Sequence, residues 1–188
     1  REAVGKGVLV VLNDQINGAR DVTKTNTSTL DTFRSPELGL LGYMQDNRAH
    51  FYRMSTRRHT LETEFDVSAL DQLPAVDVVY SHANVNRVAI DAFTNAGDIG
   101  LVYAGVGDGS LAAQVRPALS EARRKGVFIV RSSRVGQGIV ARNGEANDDE
   151  MDFVVSDTLN PQKARILLML ALTKTRDTRE IQRMFYAY

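Results

Sequence analysis

The rhythm of apolar and polar positions changes near residue 76. Beyond it, short continuous apolar runs alternate with stretches of helical period. VDVVY reads as a strand and NRVAIDAFTNAG as an amphipathic helix stopping at Gly97. IGLVYAG is a strand leading into the loop GVGDGS, LAAQVRPALSEARRKG a helix, and VFIVRSS a third strand. Uninterrupted apolar strands between helices predict parallel βαβ units with helices on the sheet faces. A polar stretch over 136–152, a short strand FVVS and two further helices complete this part. The first of those helices, in DTLNPQKARILLMLALTKT, has Pro161 near its first turn; the second is DTREIQRMFYAY.

Before residue 76 the pattern is different. REAVGKG reads as the last turn of a helix, with Gly7 in the capping place. A helix tail with no helix before it predicts a chain that begins part-way through a fold. VLVVL (8–12) reads as a buried strand ending in a turn at NDQING. Residues 22–52 lean towards β-structure, with a hairpin expected around Asp46–Asn47. Residues 53–75 are polar, without a firm period, and read as a linker. The expected organisation is α/β, in two pieces: 1–52 as the tail of one domain and 76–188 as a small complete one.

Composition narrows the partners. Lys+Arg and Asp+Glu are both 23, so the chain has no basic excess to attract nucleic acid or an anionic membrane. Its longest apolar run, ILLMLAL, is far short of the ~20 residues a bilayer-spanning helix needs. With no cysteine, neither disulfides nor thiolate chemistry is possible.

Three stretches carry candidate chemistry. In DVTKTNTSTLDTF a single ammonium, Lys24, stands among hydroxyls. The threonines suit an extended strand, whereas a positive charge beside a hydroxyl favours loss of its proton and so tunes a nucleophile. In VYAGVGDGS, glycines at alternate positions between a strand and a helix allow backbone N–H groups to approach a ligand. As a dinucleotide fingerprint this has Gly105 and Gly107, but Ser110 where the third glycine belongs. Arg131 or Arg134 on the next strand would meet the 2′-phosphate of NADP. Only about one mononucleotide half follows, where two are expected. In VGQGIVARNGEANDDEMD, the acidic cluster Asp148, Asp149 and Glu150 has no recognised metal spacing and reads as a solvated loop. Glu145, close after the flexible glycines, is placed to reach a ligand's amino group. His50, His59 and His82 are scattered at no ligand spacing.

The stretches NDQINGARDVTKTNTSTLDTF, RRHTLETEFDV, AGVGDGS, FIVRSSRVGQG, TLNPQKARILLMLALTKT and IQRMFYAY together resemble the bacterial type II L-asparaginases and glutaminase-asparaginases, in order and over essentially the whole chain. The resemblance implies hydrolysis of the side-chain amide of L-asparagine, and to a varying degree of L-glutamine, with release of ammonia and without metal or organic cofactor. It makes 1–52 the C-terminal part of a larger flavodoxin-like N-terminal α/β domain, and 76–188 a small Rossmann-like C-terminal domain. Lys24 matches the lysine of a Thr-Asp-Lys set that assists a threonine nucleophile. Ser110 and Glu145 match positions that reach the substrate from a neighbouring subunit, Glu145 at the α-amino group; serine at 110 leans towards glutaminase activity. The nucleophile's TGGTIA-like turn and the HGTDT-like Thr-Asp pair have no counterpart in these residues, so this chain alone is expected to be incomplete. A homotetramer with sites shared between subunits, and a periplasmic location (with a cytoplasmic one as alternative), are implied in the same way. The competing expectation is the NADP- or phosphate-binding module.

Overall fold

Two Asx-containing turns organise the first part of the chain. Asn13–Asp14 and Asp46–Asn47 all take left-handed φ values between 50° and 59°. Two consecutive residues of this kind make the tight turn that matches strand twist in a hairpin. The first joins β1 (Leu9–Leu12) to β2 (Gln15–Gly18), and the second joins β5 (Gly42–Gln45) to β6 (Arg48–Phe51). Between them lie the short β3 (Thr23–Lys24) and β4 (Phe33–Arg34), paired with each other. The computed structural model describes residues 1–188 as two compact units, Arg1–Glu64 with Tyr188, and Phe65–Ala187.

The first unit is antiparallel β-structure, a four-stranded sheet in the order β1-β2-β5-β6, with a single 3-10 turn at Thr60–Glu62. The Asp46–Asn47 hairpin expected from sequence is present, with Gln45 opposite Arg48. Three expectations are corrected. REAVGKG is not a helix tail: Val4 N–H donates to the Arg1 carbonyl and Lys6 N–H to the Ala3 carbonyl, both at 3.2 Å, an i to i+3 pattern of successive turns. In NDQING only Asn13–Asp14 turn, and Gln15–Gly18 are a strand. VLVVL is a strand, but not a buried one, since Val8 is 65% and Val11 51% exposed. β1 is the edge strand of its sheet, and an apolar run reports affinity for cover rather than its presence. The apolar interior here is small: Ile16, Val22 and Leu41 are its buried hydrophobic residues.

The second unit is the predicted parallel domain. β7 (Val76–Tyr80), β8 (Gly100–Gly105), β9 (Phe128–Ser133) and β10 (Val154–Val155) form one all-parallel sheet in the order β10-β9-β8-β7. With strand order running one way, successive right-handed crossovers place their helices on the same face. Those helices are α1 (Val88–Ala96) and α2 (Arg116–Arg124). Between them and the sheet lies a core that includes Ile90, Leu101, Tyr103, Leu119, Ile129 and Phe153. The short α3 (Asp148–Met151) precedes β10. The opposite face is covered by α4 (Pro161–Ala171), which crosses β7, β8 and β9, while α5 (Thr178–Ala187) lies on β10 and α4. Gly100 makes the close approach possible, because a Cβ there would stand 2.8 Å from Leu168 Cδ2.

α2 begins five residues later than its apolar pattern suggests, at Arg116 instead of Leu111. Pro117 decides this. Within a longer helix its ring would collide with the carbonyl four residues back, whereas at the second helical position its missing N–H costs nothing. Residues 106–115 are therefore a ten-residue connection after β8, not a short loop opening straight into a helix.

Candidate functional site

In a parallel sheet, side chains meet ligands where strands end at their carboxyl edge. Here two connections converge there. The first leaves β8 at Gly105 and folds back at once: Val106 bridges Ser110, whose N–H donates to the Val106 carbonyl at 2.8 Å. Gly107 and Gly109 hold left-handed φ values of 53° and 71° inside this turn. A Cβ on Gly105 would lie 2.5 Å from both the Gly109 carbonyl carbon and the Ser110 carbonyl oxygen, so the turn closes only over glycine. The second connection follows β9 and carries 141–147 into α3.

Asp108 ties the two together. Its Oδ1 accepts the Ala141 N–H at 2.7 Å, and its Oδ2 lies 2.6 Å from where a Cβ on Gly144 would be. The result places two residues 35 apart in sequence side by side: Ser110 Oγ donates to Glu145 Oε2 at 2.8 Å. The serine proton is thereby committed to the carboxylate. Glu145 is exposed, and a carboxylate there is suited to a cationic group.

Beneath this pair lies an ion pair that sequence reasoning assigned elsewhere. Arg131 and Asp148 are both fully buried. Arg131 Nε donates to Asp148 Oδ1 at 2.8 Å and Nη2 to Oδ2 at 2.7 Å. Nη2 also donates to the Ala141 carbonyl at 2.6 Å, and Nη1 to the Asp108 carbonyl. Arg131 is therefore not placed to bind a phosphate. Arg134 donates through Nη1 to the Ser81 carbonyl at 2.9 Å. The sheet has no reversal of strand order and no helix opening at the glycine loop, so nothing in this unit favours the dinucleotide reading.

The acidic cluster is likewise not a solvated loop throughout. Asp148 is the buried partner of Arg131, and Asp149 Oδ1 accepts from Arg142 at 2.6 Å. Asn143 and Arg142 hold the Asp149 carboxyl below its ordinary range. The missed signal was Arg131 itself. A charge inside the apolar strand VFIVRSS, flanked by parallel strands, requires a buried counter-ion.

Lys24 lies on the first unit, exposed at the end of β3, with its Nζ 5.5 Å from the Phe33 ring centroid. The threonines after it are not an extended strand. Thr25 Oγ1 donates to the Thr32 carbonyl at 2.9 Å, and Asn26 Oδ1 accepts the Ser28 N–H at 2.9 Å. Their hydroxyls and the Asn26 side chain close the β3–β4 loop, the local bonding that competes with a ladder.

Comparison with known proteins agrees with this anatomy. Residues 75–185 match the glutaminase/asparaginase C-terminal domain, and residues 1–57 match the N-terminal asparaginase domain. The chain is 46% identical to a glutaminase-asparaginase of Pseudomonas fluorescens biotype A and 50% identical to L-asparaginase 2 of Bacillus subtilis strain 168, in both cases over its full length. These alignments cover 52% and 49% of the two relatives. A relative from Haemophilus influenzae named as a probable periplasmic L-asparaginase is 45% identical over 98% of this chain and 53% of its own length. The chain thus spans about half the length of the curated relatives it matches. Two domain matches in the family's order, together with these identities, show that the chain belongs to the glutaminase/asparaginase family.

Proposed function

We propose that the protein containing this chain hydrolyses the side-chain amide of L-asparagine, and also that of L-glutamine, to the acid and ammonia. The observation that carries the reading is the Ser110–Glu145 pair at the carboxyl edge of the second unit's sheet. An amino-acid substrate brings an α-ammonium group, and a carboxylate oriented by a hydroxyl donor is a fitting acceptor for it. Lys24 acts on the chemical step, its ammonium favouring the deprotonated state of a threonine hydroxyl that attacks the amide carbon. That threonine lies outside these residues, and no cofactor takes part. Ser110 and Glu145 serve a site completed by a neighbouring subunit of a homotetramer, and the enzyme works in the periplasm. Family membership and the name of the Haemophilus influenzae relative support these last points.

The test is ammonia release from L-asparagine and L-glutamine, side by side, with the full-length protein. Release from both is expected. Absence of release from either, with NADPH fluorescence that changes on titration, would instead establish the dinucleotide module. Glu145→Ala should raise KM about tenfold or more with a smaller change in kcat, as loss of a charge-assisted contact of 1.5–3 kcal/mol requires. An unchanged KM would remove Glu145 from the site. Lys24→Met keeps most of the stem's volume and deletes the charge. It should lower kcat by about two orders of magnitude or more, with the assembly still folded.

A further inference from the structure

We infer that Arg131 and Asp148 are positioning residues for substrate binding, setting the separation of Ser110 and Glu145 from beneath. The inference rests on Glu145 being the substrate's ammonium acceptor. Its geometric basis is the set of atoms the pair holds. Arg131 donates to the carbonyls of Asp108 and Gly109, the two residues before Ser110. It donates also to the Ala141 carbonyl, while Asp148 Oδ2 accepts the Asn143 N–H at 2.8 Å. Asn143 and Asp148 flank Glu145 on its two sides in the chain. One guanidinium and one carboxylate therefore fix both loops, each within two or three residues of a site side chain.

Energetics argue that this is more than packing. Desolvating two charges offsets much of their attraction, so a buried ion pair is a poor device for stability alone. As a ruler it is effective, because a planar fork bonded at several points leaves its neighbours little freedom. A misplaced binding group loses its contact in the ground and transition states alike, which raises KM and leaves kcat nearly unchanged.

The experiment is a double-mutant cycle in the full-length enzyme, using L-asparagine. Arg131→Lys keeps the charge but loses the fork; Asp148→Asn keeps the shape but puts an amide where Nη2 and the Asn143 N–H both need an acceptor. Either variant should raise KM by about tenfold with kcat changed less than about threefold. In the Glu145→Ala background the same substitution should have almost no further effect on KM, since the group it positions is gone. A purely structural role would lower melting temperature and active fraction without this KM effect. If Glu145→Ala raises KM but neither Arg131→Lys nor Asp148→Asn does, or if their effects are undiminished in its background, the inference is wrong and the Glu145 reading stands. An unaltered KM for Glu145→Ala itself overturns both. Failure of both pair variants to fold would show that the pair holds the unit and not the site.

Discussion

At Gly105 a single hydrogen in place of a methyl group lets the chain reverse over itself. Gly105→Ala would force a Cβ against backbone atoms of Gly109 and Ser110, which cannot rotate away as a side chain would. The expected cost is about 2 kcal/mol, typical of overpacking, together with a raised KM because Ser110 shifts. Gly107→Ala is the control. Nothing lies within 4 Å of its Cβ position, so only the left-handed φ of 53° is charged against it, about 1 kcal/mol. Chemical denaturation of both variants checks the difference; equal losses would refute the steric account. At this scale the glycine turn around Ser110 was legible in the sequence through its motif, whereas the contact of Ser110 with Glu145 was not. Arg131 and Asp148 were misread as a phosphate binder and a solvated acid. Their roles depend on a partner 17 residues away that no local pattern names.

Elements show the same division between local and distant causes. α4 starts where its sequence says, because Asn160 caps it by accepting the Lys163 N–H at 3.0 Å and Pro161 follows at the first helical position. Asn160→Ala should cost about 1 kcal/mol, read as a lowered melting temperature. The connection between α1 and β8 carries a different device. Gly97 ends the helix with φ 99°, and Asp98 follows, buried. Burial first, then neighbouring Asp77, push the Asp98 carboxyl up to about 6, with Arg165 pulling the other way. A carboxyl raised in the folded state holds its proton more tightly than in the unfolded chain. The contribution of Asp98 to stability is then greatest below about pH 4 and is lost as pH rises through about 6. Asp98→Asn should remove that fall, gaining roughly 1 kcal/mol at pH 7 and nothing at pH 3.5. Melting temperatures across that range give the answer, and a gain independent of pH would rule the carboxyl out as its cause.

For the whole molecule, the two units differ in what they bury. The second has a continuous core on both sheet faces, from Ile90 and Leu119 to Leu168 and Phe185. The first buries Ile16, Val22 and Leu41 while exposing Val8, Val11, Leu30 and Leu61. A fragment of residues 65–187 should therefore unfold cooperatively, whereas residues 1–64 alone should show no sigmoidal transition in urea. A cooperative transition in the shorter piece would contradict this. Local patterning specified the parallel domain: its strands are continuous apolar runs, its helices have clear periods, and both signals come from neighbours along the chain. It determined the Asp46–Asn47 turn for the same reason. Tertiary structure alone decided that VLVVL is an exposed edge and that Ser110 meets Glu145 above a buried ion pair. Cover and charge pairing are satisfied by groups distant in the chain, and the free energy of a buried arginine depends on which carboxylate the fold brings to it.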